Sequence, residues 1–166
     1  FMTYNETLIK DLFRIIPQKG NVEWIGVRAK KKEDLSAVES IKVNKGSGLV
    51  GDHFKFSSSG KRQVTLIQKE HLNVISSILG EKRIDPKLTR RNIVVSGINL
   101  LSLKHQKFRI GSVILETTGI CAPCKRMEEN LGSGGYNAMR GHGGITAKVI
   151  EEGEIKLGDK IEIIKN

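Results

Sequence analysis

Cys121 and Cys124 are the only cysteines in the chain, and they lie in the run Gly119-Ile120-Cys121-Ala122-Pro123-Cys124-Lys125-Arg126. A thiolate, not a thiol, attacks sulfur and binds soft metals, and neighbouring cations favour that form. Lys125 and Arg126 follow at once, so nucleophilic, sulfur-carrying or metal-binding chemistry is expected here. The competing reading is a pair of small buried residues, because free cysteine also packs as core.

Three known uses of such residues are tested by context. A structural zinc site needs a second ligand pair, yet His53, His71, His105 and His142 are isolated from one another and only His142 lies near the cysteines. A thioredoxin-like redox site shares the two-residue spacing, but it belongs after an early βαβ unit and uses a downstream proline. Here Pro17, Pro86 and Pro123 are the only prolines, and the segment after Cys124 reads mainly as strand and glycine turn. That redox reading stands as the alternative. Gly46-x-Gly48-x-x-Gly51 has dinucleotide-binding spacing, but no helix pattern follows it to hold a pyrophosphate, since Asp52–Gly60 reads as loop or strand.

With 166 residues the chain has the size of one domain and room for a core without disulfide staples. Two cysteines do not make a secreted disulfide framework, and no apolar run reaches membrane-spanning length. No signal-peptide pattern opens the chain, Phe1 ahead of Met2 reads as a vector scar, and a cytoplasmic location with no membrane partner is expected. The formal charge of +10 calls for an anionic partner. Arg28-Ala29-Lys30-Lys31-Lys32 reads as a solvated run, because Glu33 and Asp34 follow it. Lys61-Arg62, Arg90-Arg91, Lys125-Arg126 and Arg140 with His142 instead lie beside glycine turns or strand starts, where pockets form more readily. Aromatic residues make up only 5%, without the interleaving that nucleic-acid surfaces use, which disfavours such a partner.

These residues must be held by an architecture that the spacing of apolar residues outlines. Thr3-x-x-Glu6 reads as a capping box for a helix carrying Leu8, Leu12, Ile15 and Ile16 and ending at Pro17–Gly20, so residues 3–20 form an expected helical extension. Strands are expected at Val22–Arg28, Ala37–Lys45, Gln63–Ile67, Asn92–Val95, Phe108–Glu116 and Ile145–Ile150, and Ile155–Ile164 closes the chain as β structure around Gly158-Asp159. Leu72, Ile75 and Leu79 recur at helical spacing before Gly80, a fitting helix end. Gly132-Ser133-Gly134-Gly135 reads as loop. Many short strands with few helices give a mainly β (α+β) class, a β-barrel with peripheral helices, as a single domain over residues 21–166.

Taken in order, several segments resemble the MOSC domain, a family related to the C-terminal part of molybdenum cofactor sulfurases. They are Gly48–His53, Arg62–Ile67, Arg90–Ile98, Phe108–Gly111, Pro123-Cys124, Arg140–Gly144, Gly153 and Gly158-Asp159. The resemblance runs from about Trp24 to Ile164 and is nearest to small stand-alone bacterial members. It implies a β-barrel of the MOSC type and a molybdenum cofactor (molybdopterin), an anionic pterin bearing phosphate and dithiolene sulfurs. It also implies that the cysteine after proline, Cys124, carries sulfur as a persulfide or coordinates molybdenum. Cys121 would resolve that sulfur, act as a second ligand or fill space. For the phosphate, Arg90 is the first candidate, with Asn92 orienting it. Arg62, Arg91 and Arg140 come next, Lys125 and Arg126 support the thiolate, Asp52 holds a cation or a loop amide, and His142 moves a proton. Two functions remain open. One is a molybdenum-cofactor-dependent or sulfur-transferring enzyme, for which the resemblance suggests reduction of N-hydroxylated compounds with an external electron donor. The other is a non-catalytic carrier loaded by a sulfur donor such as a cysteine desulfurase.

Overall fold

The computed structural model describes residues 8–53 and 60–165. The capping box at Thr3–Glu6, the vector-scar reading of Phe1 and residues Phe54–Ser59 of the segment expected as loop or strand lie outside the described residues. In chain order the elements are α1 (Ile9–Leu12), β1 (Gly20–Val27), β2 (Ser36–Val38), β3 (Ser40–Asn44), β4 (Gly48–Leu49), β5 (Val64–Gln68), α2 (Lys69–Leu79), β6 (Ile93–Ser96), β7 (Lys107–Ile110), β8 (Val113–Ile120), α3 (Lys125–Leu131), α4 (Gly135–Met139), β9 (Ile145–Glu151), β10 (Gly153–Lys156) and β11 (Lys160–Ile163). Short 3₁₀ turns occupy Pro86–Thr89 and Leu100–Leu103.

The large sheet runs β11-β7-β8-β9-β5-β6-β1, and β11 also pairs with β1, which closes a seven-stranded barrel with β2 added at the edge of β1. Its strand pairs are antiparallel except β5–β6, which α2 connects as a parallel crossover. A small sheet, β10-β3-β4, lies beside it.

Side-chain alternation divides the apolar residues into two layers. Val64 and Leu66 of β5, Ile93 and Val95 of β6, and Leu115, Ala147 and Val149 of β8 and β9 fill the barrel. Ile67 and Val94, on the opposite face of β5 and β6, meet Leu72 and Ile75 of α2, Met127 of α3, and Ala138 and Met139 of α4. Burial on both faces explains the unbroken apolar run of β5.

The structure corrects four expectations. The expected strand Ala37–Lys45 is broken at Glu39 into β2 and β3, which belong to different sheets. Phe108–Glu116 is a hairpin of β7 and β8, turned at Gly111, whose φ of 57° suits glycine. The segment after the cysteines holds two helices, α3 and α4, and Gly135 of the expected glycine loop starts the second. The expected N-terminal helix is reduced, within the described residues, to Ile9–Leu12.

Candidate functional site

A cavity of about 270 Å³ opens where three strand ends converge: Arg28 follows β1, Arg62 and Gln63 precede β5, and Arg90 and Asn92 precede β6. Asp52 and His53, beyond β4, complete its polar wall. Arg28, Arg62 and Arg90 thus face one space. Arg90 ends the 3₁₀ turn Pro86–Thr89 with φ 58°, a left-handed conformation uncommon for a side-chain-bearing residue and one that tends to occur at ligand sites.

Asn92 and Asp52 brace the cavity from below. The buried Asn92 side chain accepts from the Thr65 N–H (3.2 Å) and hydroxyl (3.1 Å), and its amide donates to the Gly26 carbonyl and Asp52 Oδ2, both at 3.2 Å. Asp52 Oδ1 accepts from the Arg28 N–H at 2.8 Å. Burial raises the Asp52 carboxyl above the usual aspartate range, opposed by those hydrogen bonds from Arg28 and Asn92 and by the charges of Arg28 and His53. Asn92 is therefore a brace with all its side-chain groups engaged, and Asp52 ties a loop amide.

Among the described residues none of the three guanidiniums is within ion-pair distance of a carboxylate, although Asp52 shares their cavity. The ion pairs among the described residues are Lys19–Glu162, Lys87–Asp85, Lys148–Glu116 and Lys156–Glu154. Arg28 donates to the His53 carbonyl (3.2 Å), and Arg90 reaches the Glu33 carbonyl only at 3.5 Å. Three forked donors around one cavity are an arrangement that can accept a multiply charged oxyanion such as phosphate.

The cysteines lie on the loop between β8 and α3. Cys124 is exposed at the N-cap of α3, whereas Cys121 is 1% exposed and its N–H donates to the Gly144 carbonyl at 2.9 Å. Arg91 anchors this loop. Its Nε donates to the Gly143 carbonyl (2.7 Å), Nη1 to Thr89 (3.0 Å), and Nη2 to Cys121 (3.0 Å) and Ala122 (3.3 Å). Burial pushes the Arg91 guanidinium below its usual value, the two cysteines pull the other way, and Arg62 adds to the effect of burial. Gly143 and Gly144 permit the contact, since a Cβ on either would strike the carbonyl of Cys121 or Leu66.

Of the residues expected from sequence, Arg62, Arg90, Asn92 and Asp52 meet at the cavity. Arg91 is not among the lining residues, and its donors are directed to the carbonyls of Thr89, Cys121, Ala122 and Gly143. Cys124, Lys125, Arg126, Arg140 and His142 are not among the lining residues. Lys125 and Arg140 are exposed and Arg126 half-buried. His142 turns its Nδ1 to the Ala138 carbonyl (3.0 Å) and its ring edge to His71, 5.2 Å between centroids. Burial, then repulsion from His142, lowers the pKa of His71.

Arg28, Leu35, His53, Gln63 and Thr65 line the cavity without a signal for it in the sequence: Arg28 opens a lysine-rich run that reads as solvated, although it directly follows β1, and His53 has no histidine or cysteine near it in sequence. The thioredoxin-like alternative fails on structure. The cysteines follow β8 of a closed barrel, and the first of the pair, which that chemistry needs at the surface, is the buried one. Among the described residues no three His, Cys, Asp or Glu side chains gather around a common point, so a metal at Cys124 would need ligands brought by a cofactor.

The MOSC domain matches residues 27–162 of the chain. No curated protein matches it in sequence. Among solved structures, the YuaD protein of Bacillus subtilis superposes with a TM-score of 0.77 at 21% identity, covering 90% of this chain and 98% of that one. YiiM of Escherichia coli gives 0.67 at 17%, covering 88% and 70%, and YiiM of Geobacillus stearothermophilus gives 0.71 at 16%, covering 88% and 75%. At these identities the likeness is one of fold.

Proposed function

Because the chain belongs to the MOSC domain family, we propose that it is a sulfur-carrier domain for a molybdenum cofactor, gripping an anionic pterin through phosphate and presenting Cys124 as the sulfur-bearing or metal-ligating group. The observation that carries this reading is the convergence of Arg28, Arg62 and Arg90, free of carboxylate partners among the described residues, on one cavity. The donor set fits the phosphate. At about 270 Å³ the cavity falls just below the usual ligand-pocket range of roughly 300–1,000 Å³, which suits one end of a larger molecule. When bound, the cofactor would supply a thiophilic, redox-active metal.

The chain's own residues then have separate tasks. The three arginines hold the anion, Asn92 and Asp52 keep the walls in register, and Arg91 fixes the loop whose end exposes Cys124. In loading, the Cys124 thiolate attacks the outer sulfur of a donor persulfide, R–S–SH. The new S–S bond gives Cys124–S–SH, and the donor leaves as R–S⁻. Reduction of N-hydroxylated compounds would further require an external electron donor.

The test is mass spectrometry of non-reduced protein, together with metal analysis and oxidative release of fluorescent pterin. A one-sulfur adduct that reductant removes and Cys124→Ala abolishes, or molybdenum and pterin that this variant fails to retain, is the expected result. Inorganic pyrophosphate binding, followed by calorimetry at low salt, should weaken about tenfold in Arg62→Ala, the loss of roughly one charge-assisted contact. Wild-type protein with neither sulfur adduct nor pterin, and no affinity for pyrophosphate, would overturn the proposal.

A further inference from the structure

Building on the proposed reading of the arginine cavity as an anion site, we infer that an anion held there locks the loop that carries Cys124. The two chain segments that bring Arg62 and Arg90 to the cavity are the same ones that hold this loop, each through the residue next in sequence. Arg90 and Asn92 line the cavity, whereas Arg91 between them turns to the other side and donates to the carbonyls of Cys121 (3.0 Å) and Ala122 (3.3 Å). Successive side chains take opposite sides where an extended segment runs into a strand, and β6 begins at Ile93.

The second segment divides in the same manner. Arg62 lines the cavity, and the carbonyl of Lys61 accepts from the Thr118 hydroxyl. Thr118 is the extra residue of a bulge in β8, since Thr117 pairs with Ala147 and Gly119 with Thr146. A bulge re-aims a side chain, and this one turns the hydroxyl to Lys61 and, at 2.9 Å, to the Thr146 hydroxyl, three residues ahead of Cys121. Arg91 also lies near enough to Arg62 and both cysteines for their charges to act on it.

Arg90 itself is held weakly, by a 3.5 Å contact with the Glu33 carbonyl. An anion bridging Arg62 and Arg90 would join the two segments and, through Lys61 and Arg91, both ties to the cysteine loop. A ligand that binds only the tied arrangement suppresses opening of the loop in proportion to its occupancy. Cys124, exposed beyond these ties, is then held in one orientation while the anionic molecule is in place.

Amide hydrogen exchange of the full chain, with and without inorganic pyrophosphate, tests this coupling, and calorimetry reports binding in parallel. At a concentration roughly ten times the dissociation constant, exchange at Cys121, whose N–H is bonded to the Gly144 carbonyl, should slow about tenfold. The Lys156 amide, held by Asp159 in the turn between β10 and β11, should not change. Thr118→Val and Arg91→Lys each cut or weaken one tie and neither residue lines the cavity, so at saturating pyrophosphate each should show clearly less slowing at Cys121 than the wild type. Binding without slowing at Cys121, equal slowing at Lys156, or full slowing in both variants would overturn the coupling and leave the reading of the cavity standing. Absence of pyrophosphate binding would overturn that reading and the coupling together.

Discussion

Arg91→Met removes the guanidinium while keeping most of the side-chain length in a site only 2% exposed. Four carbonyls, of Thr89, Cys121, Ala122 and Gly143, lose a donor. Hydrogen bonds to a charged group contribute about 1.5–3 kcal/mol each, and a buried acceptor left dry costs about 1–3 kcal/mol. Two effects oppose the loss. A buried cation carries its own desolvation cost of several kcal/mol, which the substitution relieves. The Ala122 carbonyl lies at the part-buried edge of the site, where water can replace the lost donor. What remains is three dry acceptors, at Thr89, Cys121 and Gly143, at about 1 kcal/mol each, for a net destabilisation of about 3 kcal/mol. At roughly 2–4 °C per kcal/mol for a chain of this length, the melting temperature should fall by about 6–12 °C. Arg91→Lys should fall between the two, since one ammonium cannot span the four acceptors. Thermal unfolding gives the global value. Amide exchange at Cys121, bonded to Gly144, reports whether the cysteine loop loosens first. A drop below about 2 °C with unchanged Cys121 exchange would refute the clamp.

Two pH predictions have opposite signs. Asp52 has a raised folded-state pKa from burial, so its charged form burdens the fold: the wild type should lose stability relative to Asp52→Asn as pH rises from about 4 towards neutrality, as urea unfolding at several pH values would show. Glu128 is exposed and its pKa is lowered because its carboxylate accepts from the N–H groups of Tyr136 and Gly134 at the start of α4, 3.0 and 2.9 Å away. Its contribution is present above the ordinary glutamate range and disappears as pH falls through the lowered value. Glu128→Gln should therefore speed amide exchange at Gly134 and Tyr136 at neutral pH and match the wild type in acid.

Much of the barrel is written in local patterns. Leu72, Ile75 and Leu79 followed by Gly80 specify α2, and Gly80 does take the left-handed C-cap, with φ 71°. The β-branched runs at Val64–Ile67 and Ile93–Val95 become the parallel pair at the centre. Such signals survive in one dimension because side-chain period and turn chemistry act over a few residues. Where a locally good pattern meets two partners it misleads, as at Ala37–Lys45, whose halves pair with β1 and with β10.

The cysteine pair and the arginine-rich segments were visible as residue types. Their assignments were not, because neighbours in sequence diverge in space. Arg90 lines a cavity while Arg91 is buried against Gly143, 52 residues away, and Asn92 reaches Gly26 across 66 residues. Cys121 and Cys124 divide in the same way, one enclosed and one exposed. Composition and spacing determined which chemistries the chain can perform and most of the elements that carry them. Only closure of the barrel decided which cations line a common cavity and which are buried against carbonyls, since that depends on hydrogen-bond partners brought together from distant strands.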